Sequence, residues 1–431
     1  MTQGLRAAAL DIFQHALRAV DAREAVSRAV SYDGSQLRIV DSEFTLNTRP
    51  IYVVGIGKAA LSMALGLNDV LGLKIQRAVM STSHSTTIPP LPSTYTLFYG
   101  GHPLPNQESF HAAERAFELL REAKDKNGFV IFLISGGGSA MLEWPVSNDI
   151  SLEDVQETNR QLITSGATIA EINAVRRSIS TVKSGGLAAS VPEDSMTTLI
   201  VSDTNRGDYA TVASGPTIAK GDGYDALEVV ERFRLNETLP RSVTNAISHD
   251  RTNNVAAKNS PVYVLLDNST AVEAARKRAS DLGLSTMIAP DIVEQPVSEG
   301  VELLLRRSFE STPRPSCLIS GGEFSCRVTG NGRGGRNLET ALRCAIKLHE
   351  VTPTTPTVLL SAGTDGIDGS SFAAGAITDE TTASRARELG LDPVEFLEQS
   401  DSHAFFEALG DLIVTGPTGT NVRDLRLVLT G

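Results

Sequence analysis

Arg333 and Arg336 stand in a loop that also holds Gly330, Gly332, Gly334 and Gly335, four glycines within six residues. Arginine offers a planar fork that fits a carboxylate or a phosphate, and glycine lets backbone N–H groups close on an anion. A turn needs one or two glycines, not four around two cations. The spacing therefore reads as an anion clamp rather than a hairpin with solvated arginines. Asn337 and Leu338 open a helical pattern, so the loop points at a helix N-terminus, where negative charge is favoured. Upstream, the apolar run 317–319 opens into Ser320-Gly321-Gly322-Glu323, and a short alternating run over 324–328 leads into the loop. The device has an earlier counterpart, in which the run 129–134 ends in Ser135-Gly136-Gly137-Gly138-Ser139. Two buried-type strands that each end in Ile-Ser-Gly-Gly suggest a site built between two α/β lobes from strand C-terminal ends.

Lys58 is the third cation of interest. The buried run 51–54 turns through Gly55-Ile56-Gly57-Lys58 into a helix over 59–71. A lysine at a helix start opposes the dipole, so it is expected to meet an anion there. The turn lacks the glycine and lysine spacing of a P-loop. It also fails the dinucleotide fingerprint, since Ala60 stands at the third glycine and no acid follows the strand over 77–80. Acids gather after two other strands. Asp203 and Asp208 follow the strand over 197–201, and Asp365 and Asp368 lie in a glycine loop after 358–361. Such pairs suit Mg²⁺, which takes one or two carboxylates beside phosphate oxygens, and equally suit Asp turns and helix caps. Arg176, Arg177 and Lys183 beside Gly185-Gly186 read either as an anion site or as one solvated helix face. His102, in a Gly-His-Pro-Leu-Pro turn, is expected to be a hydrogen-bonded structural histidine.

Positioning these groups takes strands that alternate with helices. Helical spacing covers 5–30, with a break near Asp21, then 107–123, 152–165, 169–180, 270–282, 296–311, 338–348 and 402–409. Further strands are expected at 37–40, 94–98, 262–266, 412–414 and 425–429. The polar, Asn-rich stretch 236–261 reads as a linker. It separates an N-terminal Rossmann-like α/β domain, 1–250, from a C-terminal α/β domain, 260–431, with the strand over 262–266 opening the second. The 431 residues are enough for two domains, and 41% hydrophobic with 21% charged residues is globular composition. A net charge of −12 argues against nucleic acid or an anionic membrane as partner. Three scattered cysteines read as reduced thiols of a cytoplasmic protein. No run approaches a membrane span, and an N-terminal helical stretch that carries Asp11, Asp21 and Glu24 fits neither a signal nor a transit peptide.

The ordered set Gly-Ile-Gly-Lys-Ala-Ala from Gly55, Gly-His-Pro-Leu-Pro-Asn from Gly101, Ser-Gly-Gly-Gly-Ser-Ala from Ser135, Ser-Gly-Gly-Glu from Ser320, Gly-Arg-Gly-Gly-Arg-Asn-Leu-Glu from Gly332, Ala-Gly-Thr-Asp-Gly-Ile-Asp-Gly from Ala362 and Gly-Pro-Thr-Gly-Thr-Asn-Val from Gly416 resembles the class II glycerate kinases. The resemblance covers nearly the whole chain. It implies an N-terminal α/β domain, a C-terminal domain of the MOFRL type and an active site in the cleft between them. It also implies ATP- and Mg²⁺-dependent phosphorylation of D-glycerate, at the 2-hydroxyl rather than the 3-hydroxyl. By motif, the family's essential lysine falls on Lys58 and its essential arginine on Arg336. Expected substrate and nucleotide contacts are Gly55, Gly57, Ser135, Gly136, Gly137, Gly138, Ser139, Glu323, Gly332, Gly334, Gly335, Asn337 and Thr364. The metal candidates are Asp203, Asp208, Asp365 and Asp368. The chain departs from the pattern at Leu338, where the family has glutamine, in a 202–208 loop one residue longer, and at Lys183-Ser184-Gly185-Gly186. Relatives that carry a hydroxypyruvate reductase label supply an oxidoreductase alternative, and a non-catalytic anion binder is a third.

Overall fold

In the computed structural model, residues 2–83, 91–219, 223–249, 258–311 and 313–431 are described. They divide into two units, Ala22–Leu265 on one side and Leu266–Gly431 with the N-terminal segment through Asp21 on the other.

The Ala22–Leu265 unit begins with a small antiparallel sheet of β1 (Val30–Tyr32), β2 (Gln36–Ile39) and β3 (Ser42–Thr45). Its main sheet has six strands: β4 (Ile51–Ile56), β5 (Ile75–Thr82), β6 (Tyr95–Tyr99), β7 (Phe129–Ser135), β8 (Met196–Val201) and β9 (Val262–Leu266). β4 and β7 are apolar at almost every position, the pattern of strands covered on both faces, and every residue of both is buried. The order β6-β5-β4-β7-β8-β9 is the 3-2-1-4-5-6 order of a doubly wound sheet. The β5/β6, β4/β5, β4/β7 and β7/β8 pairs are parallel, with Val54 opposite Val79 and Phe132. The helices Ala60–Leu71 and Gln107–Asp125 make the crossovers from β4 to β5 and from β6 to β7.

Two expectations are corrected in this unit. The strand over 262–266 does not open the C-terminal domain but is the edge of this sheet beside β8. An apolar run carries no mark of which sheet it will join. The expected linker 236–261 lies partly outside the described residues, and its first half is the Arg241–His249 helix. That helix buries Val243 and Ile247 against Val155, Leu162 and Val175.

The other unit has a mixed sheet of β10 (Ser285–Ile288), β11 (Ser316–Ser320), β12 (Thr357–Gly363), β13 (Gly375–Asp379), β14 (Leu412–Ile413) and β15 (Asp424–Thr430), in the order β10-β11-β15-β12-β13-β14. Only β10/β11 is parallel; β15 lies antiparallel between β11 and β12. The stretch 324–328 forms no strand, only an isolated bridge between Ser325 and Pro296. The Thr2–Ala19 helix belongs to this unit and not to the expected 1–250 domain. Its Leu5, Ile12 and Phe13 are buried with Val358, Leu360 and Leu427, and each such side chain contributes about 1.5–3 kcal/mol on burial.

Candidate active site

In the Ala22–Leu265 unit the strand order reverses between β4 and β7, and the crevice beyond their C-terminal ends is where doubly wound sheets bind ligands. Both sequence-predicted glycine loops of this unit lie there. Lys58 N donates to Gly136 O at 2.9 Å, and Ala59 N donates to Ser135 Oγ at 3.0 Å. Gly57 has φ +112°, and a Cβ there would strike the Ser135 carbonyl, so the two turns interlock only with glycine at 57. Ser135 is buried, and its hydroxyl positions the Lys58 turn. The N-cap residue of the Ala60–Leu71 helix, Ala59, makes no side-chain cap, and a half-buried Lys58 stands beside an N-terminus whose first N–H groups meet Ser135 Oγ and Gly57 O. His102 is exposed and packs against Gly137, so it borders the loop rather than the core.

The segment after β8 closes against the same loops. Ser139 Oγ bonds Ser214 Oγ, Ser184 N donates to Ser214 O at 3.1 Å, and Gly185 N donates to Gly215 O at 2.7 Å. Ser184, Ala213 and Ser214 have φ of +51°, +52° and +61°, a concentration of left-handed non-glycine backbone of the kind held at functional sites. Asp203 and Asp208 lie on this segment, both half-buried, and the Asp208 carboxylate accepts from Thr211 Oγ1 at 3.1 Å. Lys183 is buried on Glu143, which also accepts from Ser180 Oγ. Burial pushes the Lys183 ammonium down, opposed by Glu143. The cation run therefore forms neither a solvated face nor an open anion site at this lysine.

In the Leu266–Gly431 unit, Arg336 opens the Arg336–Val351 helix. Its Nε and Nη2 donate to the two carboxylate oxygens of Asp424 at 2.7 and 2.9 Å, and its Nη1 lies 2.8 Å from Glu323. Burial disfavours the charged guanidinium, but Asp424 and Glu323 more than offset it and hold Arg336 firmly protonated. Below it, Arg426 is buried with its guanidinium 3.7 Å from the Phe324 ring centroid. Arg426 donates to Gly321 O and Ser320 Oγ, which fixes the Ser-Gly-Gly-Glu turn that carries Glu323. Asn268 closes the turn from the other side, accepting from Gly322 N at 2.9 Å and donating to Asp424 O at 3.0 Å.

Several expectations change here. The helix N-terminus beneath Arg336 is capped by Asp368, which accepts from Asn337 N at 3.1 Å and Leu338 N at 2.8 Å. Asp368 is thus engaged as a cap rather than offered to a metal. Burial pushes its carboxyl up to about 7, against the pull of those N–H groups. Asn337 is buried and accepts from Ser361 Oγ at 2.7 Å. The Thr364 hydroxyl donates to Arg423 O at 2.7 Å and accepts from Val422 N at 2.9 Å. Both are structural. A Cβ at Gly330, Gly332, Gly334 or Gly335 would strike Gln399, Asp401, Ser402 or Asp368 respectively. These glycines let the loop pack on its own unit instead of clearing an anion's path. Asp365 accepts from Ile367 N at 3.2 Å within its turn.

Among the described residues no three His, Cys, Asp or Glu side chains cluster as a metal cage. Asp203 and Asp208 fit Mg²⁺ in donor type, since that ion needs only one or two carboxylates beside phosphate oxygens and water. Asp424, Arg426 and Asn268 were missed from sequence. A lone arginine inside the otherwise apolar 425–429 run was the available signal.

The chain thus joins a doubly wound sheet, with its loops at the switch point, to a mixed-sheet unit that holds an arginine–carboxylate cluster. Family models match two regions, a domain of unknown function (DUF4147) over 8–248 and the MOFRL family over 316–424. The D-glycerate 2-kinase of Thermotoga maritima is 34% identical over 88% of this chain and 90% of its own length. An Agrobacterium vitis protein whose name provisionally makes it a hydroxypyruvate reductase is 35% identical over 88% of this chain and 99% of its own length. The crystal structure of the Thermotoga maritima glycerate kinase superposes with a TM-score of 0.82 at 31% identity, covering 100% of both chains. The chain belongs to the class II glycerate kinase family. Among the described residues no helix is long and apolar enough to cross a membrane.

Proposed function

We propose that this chain is a D-glycerate kinase, transferring the γ-phosphoryl group of ATP to the 2-hydroxyl of D-glycerate. The observation that carries the reading is the interlocked pair of turns at the β4/β7 switch point. Lys58 leads there into a helix whose N-cap residue supplies no side-chain cap, beside Ser139 and the Ser214 segment. Backbone N–H groups, hydroxyls and one ammonium are the donor set for phosphate oxygens, where neutralising charge lowers the barrier. Lys58 supplies the positive charge, and Gly136, Gly137, Gly138 and Ser139 cradle the anion. Arg336 binds a second anionic group, the glycerate carboxylate or the transferring phosphate, with its remaining N–H groups. Asp203 and Asp208 would hold Mg²⁺, which neutralises phosphate charge when bound.

The strand order is that of dinucleotide-binding folds, which keeps the reductase in view. Against it, Ala60 replaces the third glycine of the fingerprint, and residues 83–93 after β5 contain no acid for a ribose. The free cysteines agree with a cytoplasmic enzyme. The deciding experiment offers purified protein ATP, Mg²⁺ and D-glycerate in one assay, and NAD(P)H with hydroxypyruvate in another. Glycerate-dependent ADP release supports the kinase; NAD(P)H oxidation without it overturns the proposal.

A further inference from the structure

We infer that Asp424 is a positioning residue for phosphoryl transfer, holding one edge of Arg336 from a fixed, buried place so that the rest of the guanidinium is aimed at the anion. The inference rests on the reading of Arg336 as an anion-binding arginine. A guanidinium has five N–H groups. Asp424 takes two, at 2.7 and 2.9 Å, while Glu323 lies within ion-pair distance of Nη1 at 2.8 Å. Three remain, two on Nη1 and one on Nη2, and a carboxylate or phosphate can engage one from each nitrogen with both oxygens. The direction of that pair follows from the plane of the Asp424 carboxylate.

Asp424 is built not to move. It is 0% exposed and begins β15 opposite Gly363 of β12. Its backbone N donates to Gly322 O at 3.1 Å, and its carbonyl accepts from Asn268 Nδ2 at 3.0 Å. Arg426 Nη1 lies 3.8 Å from Asp424 Oδ2, a second cation beside the same carboxylate. Glu323 differs, with a side chain 43% exposed, so it can yield its place on Nη1 to an incoming anion while Asp424 stays. The two carboxylates thus have separate parts, one a mount and one a displaceable contact.

The test is a double-mutant cycle on the full chain, reading kcat and KM for D-glycerate at saturating ATP and Mg²⁺, with thermal unfolding of each variant. Asp424→Asn is expected to lower kcat by about 10–100-fold, the scale of a misplacement near 1 Å. In an Arg336→Ala background the same change is expected to alter kcat less than about twofold, because its effect passes through Arg336. Losses that multiply in the double variant, or a fully active Asp424→Asn enzyme, overturn the inference while leaving Arg336 its role. Wild-type kcat and KM in Arg336→Ala alone instead overturn the underlying reading. Asp424→Glu keeps the charge and pushes the guanidinium outward by a methylene. Lower kcat at an unchanged melting temperature supports positioning, and unchanged kcat opposes it. If neither carboxylate replacement folds, Asp424 is a stability residue and the inference fails.

Discussion

Replacing Arg336 with lysine keeps the charge and removes the fork. The native guanidinium makes two hydrogen bonds to Asp424 and an ion pair with Glu323. A lysine ammonium cannot reproduce that planar, bidentate arrangement. Asp424 would lose its bidentate partner and keep Arg426 Nη1, 3.8 Å away, as its guanidinium neighbour. Removing one partner of a buried ion pair costs about 3–5 kcal/mol, and a retained charge recovers part of that, so about 2–3 kcal/mol is expected here. At about 2–4 °C per kcal/mol for a unit of this size, Tm falls by about 4–12 °C. Turnover at saturating D-glycerate falls by about 100-fold or more, as for loss of one preorganised electrostatic contact. Arg333→Lys is the matched control. Its side chain is 55% exposed, and its ion-pair partner Glu407 lies 3.9 Å away. It is the Arg333 backbone that engages Asp401 and His403. That change should stay within about 0.5 kcal/mol and about twofold in kcat. Calorimetry and steady-state kinetics on the two variants decide the matter. Equal effects, or a fully active Arg336→Lys enzyme, refute the reasoning.

Lys58→Ala should leave unfolding unchanged and lower kcat by about 10²–10³-fold, checked by steady-state rates; near-normal kinetics would reject the role. Asp203→Asn and Asp208→Asn should raise the Mg²⁺ concentration for half-maximal rate by about tenfold, and unchanged metal dependence for both removes them as ligands. Asp368 is pushed up to about 7 when folded, whereas an unfolded aspartate titrates near about 4. Between those values the folded chain keeps a proton that the unfolded chain has released. Stability from this group therefore falls as pH rises from about 4 to about 7, then levels. Asp368→Asn should lack that slope, and parallel plots of Tm against pH for the two proteins would contradict it.

The doubly wound unit was legible because its strands are continuous apolar runs that end in glycine turns, so periodicity marked both strands and loops. The location of Lys58 and of the Ser135–Ser139 turn followed from those same ends. What escaped depends on contacts far apart in sequence. The amphipathic pattern of Thr2–Ala19 says that it packs on something, but not that its partners include Leu427. Asp368 caps a helix that begins 32 residues earlier, and local signals find only caps that sit beside their helix. The glycines of 330–335 looked like room for a ligand; their neighbours, Gln399, Asp401, Ser402 and Asp368, come from much later in the chain. Asp424 was visible as an acid before an apolar run, but its pairing with Arg336 spans 88 residues.

The most direct measurement is phosphorus NMR of the product made from ATP, Mg²⁺ and D-glycerate by the purified chain. The account predicts ADP together with a phosphate resonance coupled to the single C2 proton, that of 2-phosphoglycerate. Coupling to the two C3 protons would contradict the assigned hydroxyl, and no phosphoglycerate at all would contradict the kinase itself.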